Sequence, residues 1–441
     1  MANTFNYKQV WTSDFQKSNW SMPIYPVIAD LQFSAGLKMG DTVNRRYRSN
    51  PIFANDLSSS GGYSTQNYAE ANETFTISKQ KEASVRIVAT EVLHTDLNTT
   101  KSYGTQLSNA IYTEIDADTL KAAYSSAGSV IDNGSIGGTA GDGIVASIAN
   151  IANLPVIAME KFMGTNVVYV NNMRFGKLPY EDYGGMLTWV IPPQVWTVIQ
   201  LYFMARNTNK GDEVTTNGYV GQFGNFNTFV SNNLPFSARL ALSVNPTDGD
   251  TITIKGVVIT FKTTVDAGTT AGQVKIASTV ALTNTNLAAF LNAPTTTVAD
   301  STNAGYNGFG ASNTISENGF TIKKSDALHG LTATSSATGT SIIIKGAGKV
   351  TVSSTLTNAA NLWTTAKQQV HSIFMVAKNI SLAVRKDPDI YENPVSNSIA
   401  RDYVMWTVYD NKVFIDQARA IIDLALDVSS SSITTYSNVH A

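Results

Sequence analysis

The sequence predicts an α+β protein in which a β-rich domain is inserted into a larger host domain. The first observation is a run of 145 residues without arginine, from Arg239 to Arg385, in a chain of 441 residues that contains ten arginines. Serine and threonine supply 35 of the 121 residues of 243–363, so the composition changes over the same segment. A host accepts such an insertion at a surface loop whose ends lie close together. We therefore predict an inserted domain at 243–365.

Composition excludes several classes of protein. The net charge is −2 and charged residues make up 15% of the chain, so nothing favours tight binding to a nucleic-acid backbone. The chain has no cysteine, which excludes disulfides and thiolate metal sites. It also lacks a run of about eighteen apolar residues, so we predict no membrane-spanning helix. The N-terminus does not show the basic-then-apolar pattern of a signal peptide.

The N-terminal quarter predicts an extended arm followed by a long hairpin. Residues 1–44 contain aromatic residues and prolines without any period, which is typical of a segment that lies against another surface. A hairpin is predicted at 45–92, because residues 75–89 alternate strictly in polarity and 55–66 form a glycine- and serine-rich tip. A two-stranded ribbon is only marginally stable in water. We therefore expect this hairpin to lie across another subunit.

The host domain is predicted to combine helices and strands. An apolar stripe predicts a long helix at 101–127, with Glu114, Asp116 and Asp118 on its solvent side. Alternation in 422–428 predicts a strand with one solvent-facing side, which would carry Asp423 and Asp427. Further helices are predicted at 144–163 and 194–205, and further strands at 166–170, 186–191 and 403–409.

The inserted segment is predicted to be mainly β. Alternating residues and turn glycines place a short helix between several strands, and Thr283 is the predicted N-cap of that helix, near 287–291. The predicted strands are 251–254, 257–261, 274–277, 319–323, 341–345 and 349–353.

Side chains that could carry chemistry do not form a recognisable site. The histidines have no metal-binding spacing, and the loop at 346–349 lacks the first glycine and the Ser/Thr of a phosphate-binding loop. The acidic residues have the spacing of a solvated surface, with cation binding as the alternative. We predict no catalytic, cofactor-binding or metal site, no cofactor and no enzymatic activity. The residues concerned are His94, His329, His371 and His440, with the acidic groups Glu114/Asp116/Asp118 and Asp387/Asp389/Glu392.

Two surface groups suggest contacts with other molecules. Arg45, Arg46 and Arg48 lie on alternating faces of the outgoing hairpin strand, so we expect them to pair with carboxylates of a neighbouring subunit. Contact with nucleic acid is the alternative. In the inserted segment, Tyr306 and Phe309 lie in a threonine-rich context that would suit carbohydrate binding, whereas an ordinary solvated surface is the simpler interpretation.

The order of these elements resembles that of the major capsid proteins of tailed phages, which have the Hong Kong 97 phage capsid fold. The resemblance covers about 318 residues, all but the inserted segment. It identifies 1–44 as the N-terminal arm, 45–92 as the E-loop and 101–127 as the spine helix. It assigns 93–242 and 366–441 to the spine helix and to the peripheral and axial domains, and the glycine-aromatic stretch 218–226, followed by Ser-Asn-Asn-Leu-Pro, to the axial domain. The insertion is similar to that in the coat protein of a Salmonella podovirus.

The resemblance implies a coat subunit that assembles with copies of itself into pentamers and hexamers of an icosahedral head enclosing double-stranded DNA. It implies further partners, namely a portal and separate scaffolding or decoration proteins, with non-specific contact to packaged DNA and no membrane. The protein would be located in the virion after assembly in the bacterial cytoplasm. The alternative is another phage structural protein, a tail or decoration component, in which the β-rich insert is a binding module.

Overall fold

The computed structural model describes most of the chain, in two compact units. Unit 1 comprises Met1–Thr119 and Ile380–Phe414, and unit 2 comprises Leu120–Asn379 and Ile415–Ala441. The predicted strand at 166–170 and most of the predicted arm lie outside the described residues. The structure describes residues 23–32, 40–48, 54–56, 61–63, 65–66, 70–88, 99–164, 186–205, 222–266, 270–310, 312–317, 320–336, 339–347, 350–364, 367–395 and 398–427.

The helices and strands of the described residues are as follows. The helices are α1 (Tyr25–Ile28), α2 (Thr99–Ser125), α3 (Asn153–Gly164), α4 (Pro193–Met204), α5 (Val280–Asn292), α6 (Lys324–Ala327) and α7 (Ile415–Ala418). The strands are β1 (Ala29–Asp30), β2 (Thr42–Arg48), β3 (Glu70–Thr76), β4 (Lys79–Val88), β5 (Ser129–Ile131), β6 (Leu187–Ile191), β7 (Gln222–Phe223), β8 (Phe226–Val230), β9 (Pro235–Ala241), β10 (Thr251–Ile254), β11 (Val257–Lys262), β12 (Gln273–Lys275), β13 (Tyr306–Asn307), β14 (Thr314–Glu317), β15 (Phe320–Lys323), β16 (Thr332–Ser335), β17 (Ser341–Ala347), β18 (Val352–Thr355), β19 (Leu362–Trp363), β20 (Gln369–Val376), β21 (Ile380–Pro394), β22 (Ala400–Lys412) and β23 (Ile421–Asp427).

Unit 1 contains a four-stranded sheet and a two-stranded ribbon. The sheet has the order β1-β21-β22-β4, and the ribbon consists of β2 and β3 in antiparallel register. The return run of the predicted hairpin is therefore divided, because β4 pairs along its whole length with β22 of the same chain. For β4, the expectation that the hairpin needs another subunit is wrong. Alternation shows that a strand is half-buried but cannot show which strand it pairs with.

The predicted long helix is present as α2 and supplies a row of buried residues, Leu107, Ile111 and Ile115. Asp116, however, is fully buried, which contradicts its predicted place on the solvent side. Its Oδ1 accepts the backbone N–H groups of Ile24 and Tyr25, each at 2.8 Å. A buried carboxylate needs such donors, and here they come from the turn α1 rather than from the helix itself.

Unit 2 is built on a ten-stranded sheet whose main path is β16-β17-β9-β20-β6-β8-β7, with β23 paired to β20 and β5. The predicted strand at 186–191 and helix at 194–205 are present as β6 and α4. The helix predicted at 144–163 begins only at Asn153, which places Pro155 in its first turn, where a missing N–H costs little. The strand β23 is buried on both sides, so the prediction of a solvent face with Asp423 and Asp427 is wrong.

The inserted segment forms a five-stranded sheet, in the order β13-β12-β11-β10-β18, and the helix α5. Two of its strands, β10 and β11, lie where the alternation predicts them. The predicted cap Thr283 is wrong, because α5 begins four residues earlier and its N-cap is Thr279, which accepts the N–H of Leu282. Thr283 is buried inside the helix, where its Oγ1 accepts the N–H of Ala277 at 3.0 Å.

The inserted segment also contributes strands to the sheet of the flanking segments. Its strand β17 pairs antiparallel with β9 over seven residues, from Ser341 opposite Ala241 to Ala347 opposite Pro235. On the other side of β17 lies β16, and β19 also pairs with β9, so three strands of the ten-stranded sheet come from within 243–365. The side chains of Ile342 and Ile344 are fully buried in this arrangement.

We expect excision of residues 243–365 with a short linker to prevent stable folding of unit 2. The excision removes β17 from one edge of β9 and takes away the buried Ile342 and Ile344, each worth about 1.5–3 kcal/mol in burial. Circular dichroism and thermal unfolding of the excised protein would measure the effect, with the full chain as the control. A soluble, cooperatively melting product would contradict the role we give to β17.

Candidate assembly surfaces

The histidines and acidic residues considered as metal ligands or catalytic groups do not come together in a site among the described residues. Among the described residues no group of three His, Asp or Glu side chains could hold a metal ion. His329 lies exposed in a turn, and His94 and His440 lie outside the described residues. The described part of the chain likewise has no helix with the length and apolarity to span a membrane.

The acidic residues of α2 each have a structural partner. Glu114 pairs with Lys81 of β4, Asp116 binds the N–H groups of α1, and Asp118 accepts the hydroxyl of Tyr409 at 2.6 Å. Burial, and next the hydrogen bond to Asp118, raise the pKa of the Tyr409 phenol, so this hydroxyl remains a donor. Three carboxylates that point to three different partners do not form a cation site.

The described members of the other candidate groups also have contacts within the chain that account for their positions. Glu392 is exposed and pairs with Arg401, while the side chains of Asp387 and Asp389 lie outside the described residues. Tyr306 and Phe309 are only 8% and 2% exposed. Their rings pack edge-on against Phe290 at 6.0 and 5.6 Å. The suggested carbohydrate surface at these two aromatic residues is therefore wrong, because they belong to the core of the inserted segment.

One polar cluster in unit 2 has the residue types of a hydrolase triad. The Nδ1 of His371 lies 3.0 Å from both carboxylate oxygens of Asp423, and its Nε2 lies 2.9 Å from the Oγ of Ser237. The ring of Tyr124 packs on the imidazole with the centroids 4.0 Å apart. Burial, together with the charge of Asp423, raises the pKa of Tyr124 to about 12.

The surroundings of this cluster indicate a structural role. A triad serine must reach a substrate carbonyl, but Ser237 is buried in the middle of β9, with β17 and β20 hydrogen-bonded on its two sides. The cluster joins β9, β20 and β23 to the end of α2. Sequence reasoning missed it because the partners of His371 are 134 and 52 residues away, so no local motif exists.

The base of the ribbon is fixed to its own chain. We call the residues 40–45 and 73–78, together with Val408–Phe414, the ribbon root. Within it Phe75, Ile77 and Phe414 are buried in one small apolar cluster. The Nζ of Lys412 donates to the backbone carbonyl of Thr74 at 2.6 Å and pairs with Glu73.

One member of the arginine cluster has contacts within its own chain. The guanidinium of Arg45 lies 4.7 Å from the ring centroid of Phe414, and Arg45 is opposite Glu73 in the ribbon. The pairing of these arginines with carboxylates of a neighbouring subunit stays a prediction. Arg46 points to the other face of the ribbon and is exposed. The side chain of Arg48 lies outside the described residues.

The four-stranded sheet of unit 1 has an exposed face, which we call the outer sheet face. It carries Trp406 and Tyr391, which are 37% and 42% exposed, with their rings 6.3 Å apart. The bidentate pair of Arg86 with Asp402 lies on the same face, at 2.7 and 2.9 Å, and its hydrogen bond lowers the pKa of the Asp402 carboxyl. The opposite face meets α2 through Lys81 and Tyr409. An exposed aromatic pair with a charged neighbour is typical of a protein–protein contact.

Comparisons with known proteins agree with this architecture. No family model matches the chain, and no curated protein matches its sequence. Among solved structures, one from Mycobacterium phage Che8 is 8% identical, with 96% of this chain and 98% of that chain covered and a TM-score of 0.52. The capsid of cyanophage P-SCSP1u is 9% identical, with 95% and 93% covered and a TM-score of 0.47. The mature capsid of bacteriophage PhiM1 is 8% identical, with 95% and 92% covered and a TM-score of 0.46. The chain thus shares its fold with the Che8 structure over almost its whole length, and the predicted α+β fold class is confirmed.

Proposed function

We propose that the protein is the major coat subunit of a phage head, which assembles with copies of itself into pentamers and hexamers of an icosahedral shell around double-stranded DNA. The observation that carries the proposal is the fold shared over 96% of the chain with a phage structure. A closed shell is a symmetric assembly in which each subunit repeats the same set of contacts. Such a subunit needs extended contact surfaces and no catalytic site.

Two surfaces of unit 1 support this function. Beyond its root, the ribbon of β2 and β3 is a two-stranded sheet that exposes Arg46, Asn72 and Glu70 on one face. A ribbon of this kind gains stability when it lies on a further surface. The outer sheet face, with Trp406 and Tyr391, offers apolar area for a neighbouring copy. In this proposal the part of the ribbon beyond its root, and not β4, makes the contact between subunits.

The remaining features of the proposal follow from the coat function. The arm 1–44, the E-loop 45–92, the spine helix with peripheral and axial domains (93–242 and 366–441) and the inserted domain 243–365 are its parts. We place the inserted domain on the exterior of the shell. The partners are a portal and separate scaffolding or decoration proteins, with non-specific contact to DNA, which a net charge of −2 permits. The location is the virion, after assembly in the host cytoplasm, and the role is not enzymatic.

Deletion of residues 55–66, the tip of the hairpin, tests the proposal. We expect the purified protein to remain folded, because the root and the sheet partners of β4 lie outside the deletion. Closed shells, visible for the intact chain in negative-stain electron microscopy, should be absent or rare. The matched control replaces residues 55–66 with a glycine- and serine-rich segment of equal length. It shows whether assembly depends on the length of the tip or on its side chains. Normal particles from the deletion would overturn the role of the hairpin, and an intact chain that never forms shells would overturn the coat function.

A further inference from the structure

We propose that Asp410 is the positioning residue that fixes the direction in which the ribbon leaves the four-stranded sheet of unit 1. The consequence for assembly rests on the proposed coat function, whereas the direction of the ribbon can be measured on the isolated subunit. The inference begins at Ile77 and Ser78, the two residues that connect β3 of the ribbon with β4 of the four-stranded sheet. Any contact that orients these two residues also orients the ribbon.

Asp410 holds the second of these residues at two points. Its Oδ2 accepts the backbone N–H of Ser78 at 3.0 Å and the hydroxyl of Ser78 at 2.8 Å. Its Oδ1 accepts the N–H of Asn411 at 2.8 Å, and the Nζ of Lys79 lies 3.7 Å away. Asp410 is only 7% exposed, so these bonds are largely shielded from water. Hydrogen bonds to a charged acceptor are short and directional, and two of them on one residue fix both its peptide plane and its side chain.

The other contacts of the ribbon root restrain the ribbon without setting its angle as strictly. Ile77 exchanges backbone hydrogen bonds with Gly40 and Asp41, which keeps the two ribbon strands together. Phe75 and Phe414 meet edge-on at 6.5 Å between centroids, in the apolar cluster. Apolar contacts are non-directional, so rings of this kind can slide through a range of angles. Lys412 of β22 donates a directional hydrogen bond to the Thr74 carbonyl at 2.6 Å, but through a long side chain with several rotatable bonds. Asp410 is the directional contact to the connection itself, and its side chain is short and buried.

A ribbon of fixed direction would favour assembly. A segment that is ordered before binding loses less conformational entropy when it docks. In a shell, the same docking step recurs at every subunit, so a small loss of order in the free subunit is multiplied over many identical contacts. We therefore expect Asp410 to affect shell formation more strongly than it affects the stability of the isolated subunit.

The direction of the ribbon can be measured by pulsed electron–electron resonance. The chain has no cysteine, so spin labels at Asn72→Cys on the ribbon beyond its root and Ser84→Cys on β4, both exposed positions, report a single distance. The intact chain should give one narrow distance distribution, and Asp410→Ala should widen it about twofold because both bonds to Ser78 are lost. Asp402→Ala is the matched control, an aspartate of the same strand whose partner is Arg86. It should leave the distribution unchanged.

A second variant covers the case in which Asp410→Ala fails to fold. Ser78→Ala changes an exposed residue and removes only the hydroxyl bond, so it should fold and widen the distribution by a smaller amount. In assembly reactions followed by electron microscopy, Asp410→Ala should reduce the yield of closed shells about tenfold. The control for yield is Val258→Ala, at an exposed residue of the inserted segment, which should leave it unchanged. A narrow distribution in both Asp410→Ala and Ser78→Ala would overturn the positioning role. If the intact chain forms no shells but the distribution responds as expected, the positioning of the ribbon stands and the coat function falls.

Discussion

Replacing Asp423 with alanine will reduce the free energy of unfolding by about 1–3 kcal/mol, the usual cost of leaving a buried hydrogen-bonding group without its partner. Asp423 is 3% exposed, and its oxygens are the partners of His371 Nδ1 at 3.0 Å. Without the carboxylate, the imidazole is left buried between Tyr124 and Ser237 with no acceptor for its Nδ1–H. Urea unfolding followed by far-ultraviolet circular dichroism will measure the change.

Two further variants define what this result means. Ser237→Ala removes only the hydrogen bond between the serine hydroxyl and His371 and should cost about 1 kcal/mol. Asp402→Ala removes the partly exposed partner of Arg86 and should have little effect on unfolding. If Asp423→Ala unfolds at the same urea concentration as Asp402→Ala, the cluster does not hold the three strands together as we describe.

Alanine variants at Trp189 and Trp406 should affect different properties, the first the stability of the subunit and the second its assembly. Trp189 is fully buried, stacks on Phe374 with the centroids 4.6 Å apart, and donates its Nε1–H to Ser372 at 2.9 Å. Trp189→Ala should therefore cost about 3–5 kcal/mol of unfolding free energy. Trp406 lies on the outer sheet face, and Trp406→Ala should keep the subunit folded while it lowers the yield of shells.

Chemical denaturation and electron microscopy of the same preparations will test this pair. The control for the outer sheet face is Val258→Ala, an exposed apolar residue of the inserted segment that is not part of that face. Shells of normal yield from Trp406→Ala would remove the outer sheet face as an assembly surface. A Trp189→Ala protein as stable as the intact chain would contradict the packing of the unit 2 core.

The sequence predicts the positions of helices and strands better than it predicts which distant residues contact each other. Alternation and turn residues are local, so β10, β11 and β6 lie where the pattern places them. Carboxylates are different, because a buried and a solvated aspartate look the same in a local pattern. Asp116 is buried because the turn α1 supplies two N–H donors from 92 and 91 residues away. No periodicity in α2 contains that information.

The prediction that β4 lies across another subunit is wrong for the same reason. The polarity of residues 75–89 does alternate, but the alternating run covers parts of two strands, β3 and β4, which have different partners. The partner of β4 is β22, more than three hundred residues away in sequence, for example Val404 opposite Ser84. The buried cluster of His371 and Asp423 escaped detection in the same way. Long-range pairing, and not local propensity, decides these features.

The pairing of β9 with β17 has a consequence for how the chain folds as it is synthesised. When β9 leaves the ribosome, its neighbours β17 and β20 have not yet been translated, because both follow it at a distance in sequence. The strand β23, which also pairs with β20, follows later still. The nascent chain therefore carries an unpaired β-strand while about a hundred further residues are translated, and such edges aggregate readily. Production of this protein should accordingly depend on chaperones that shelter newly made chains.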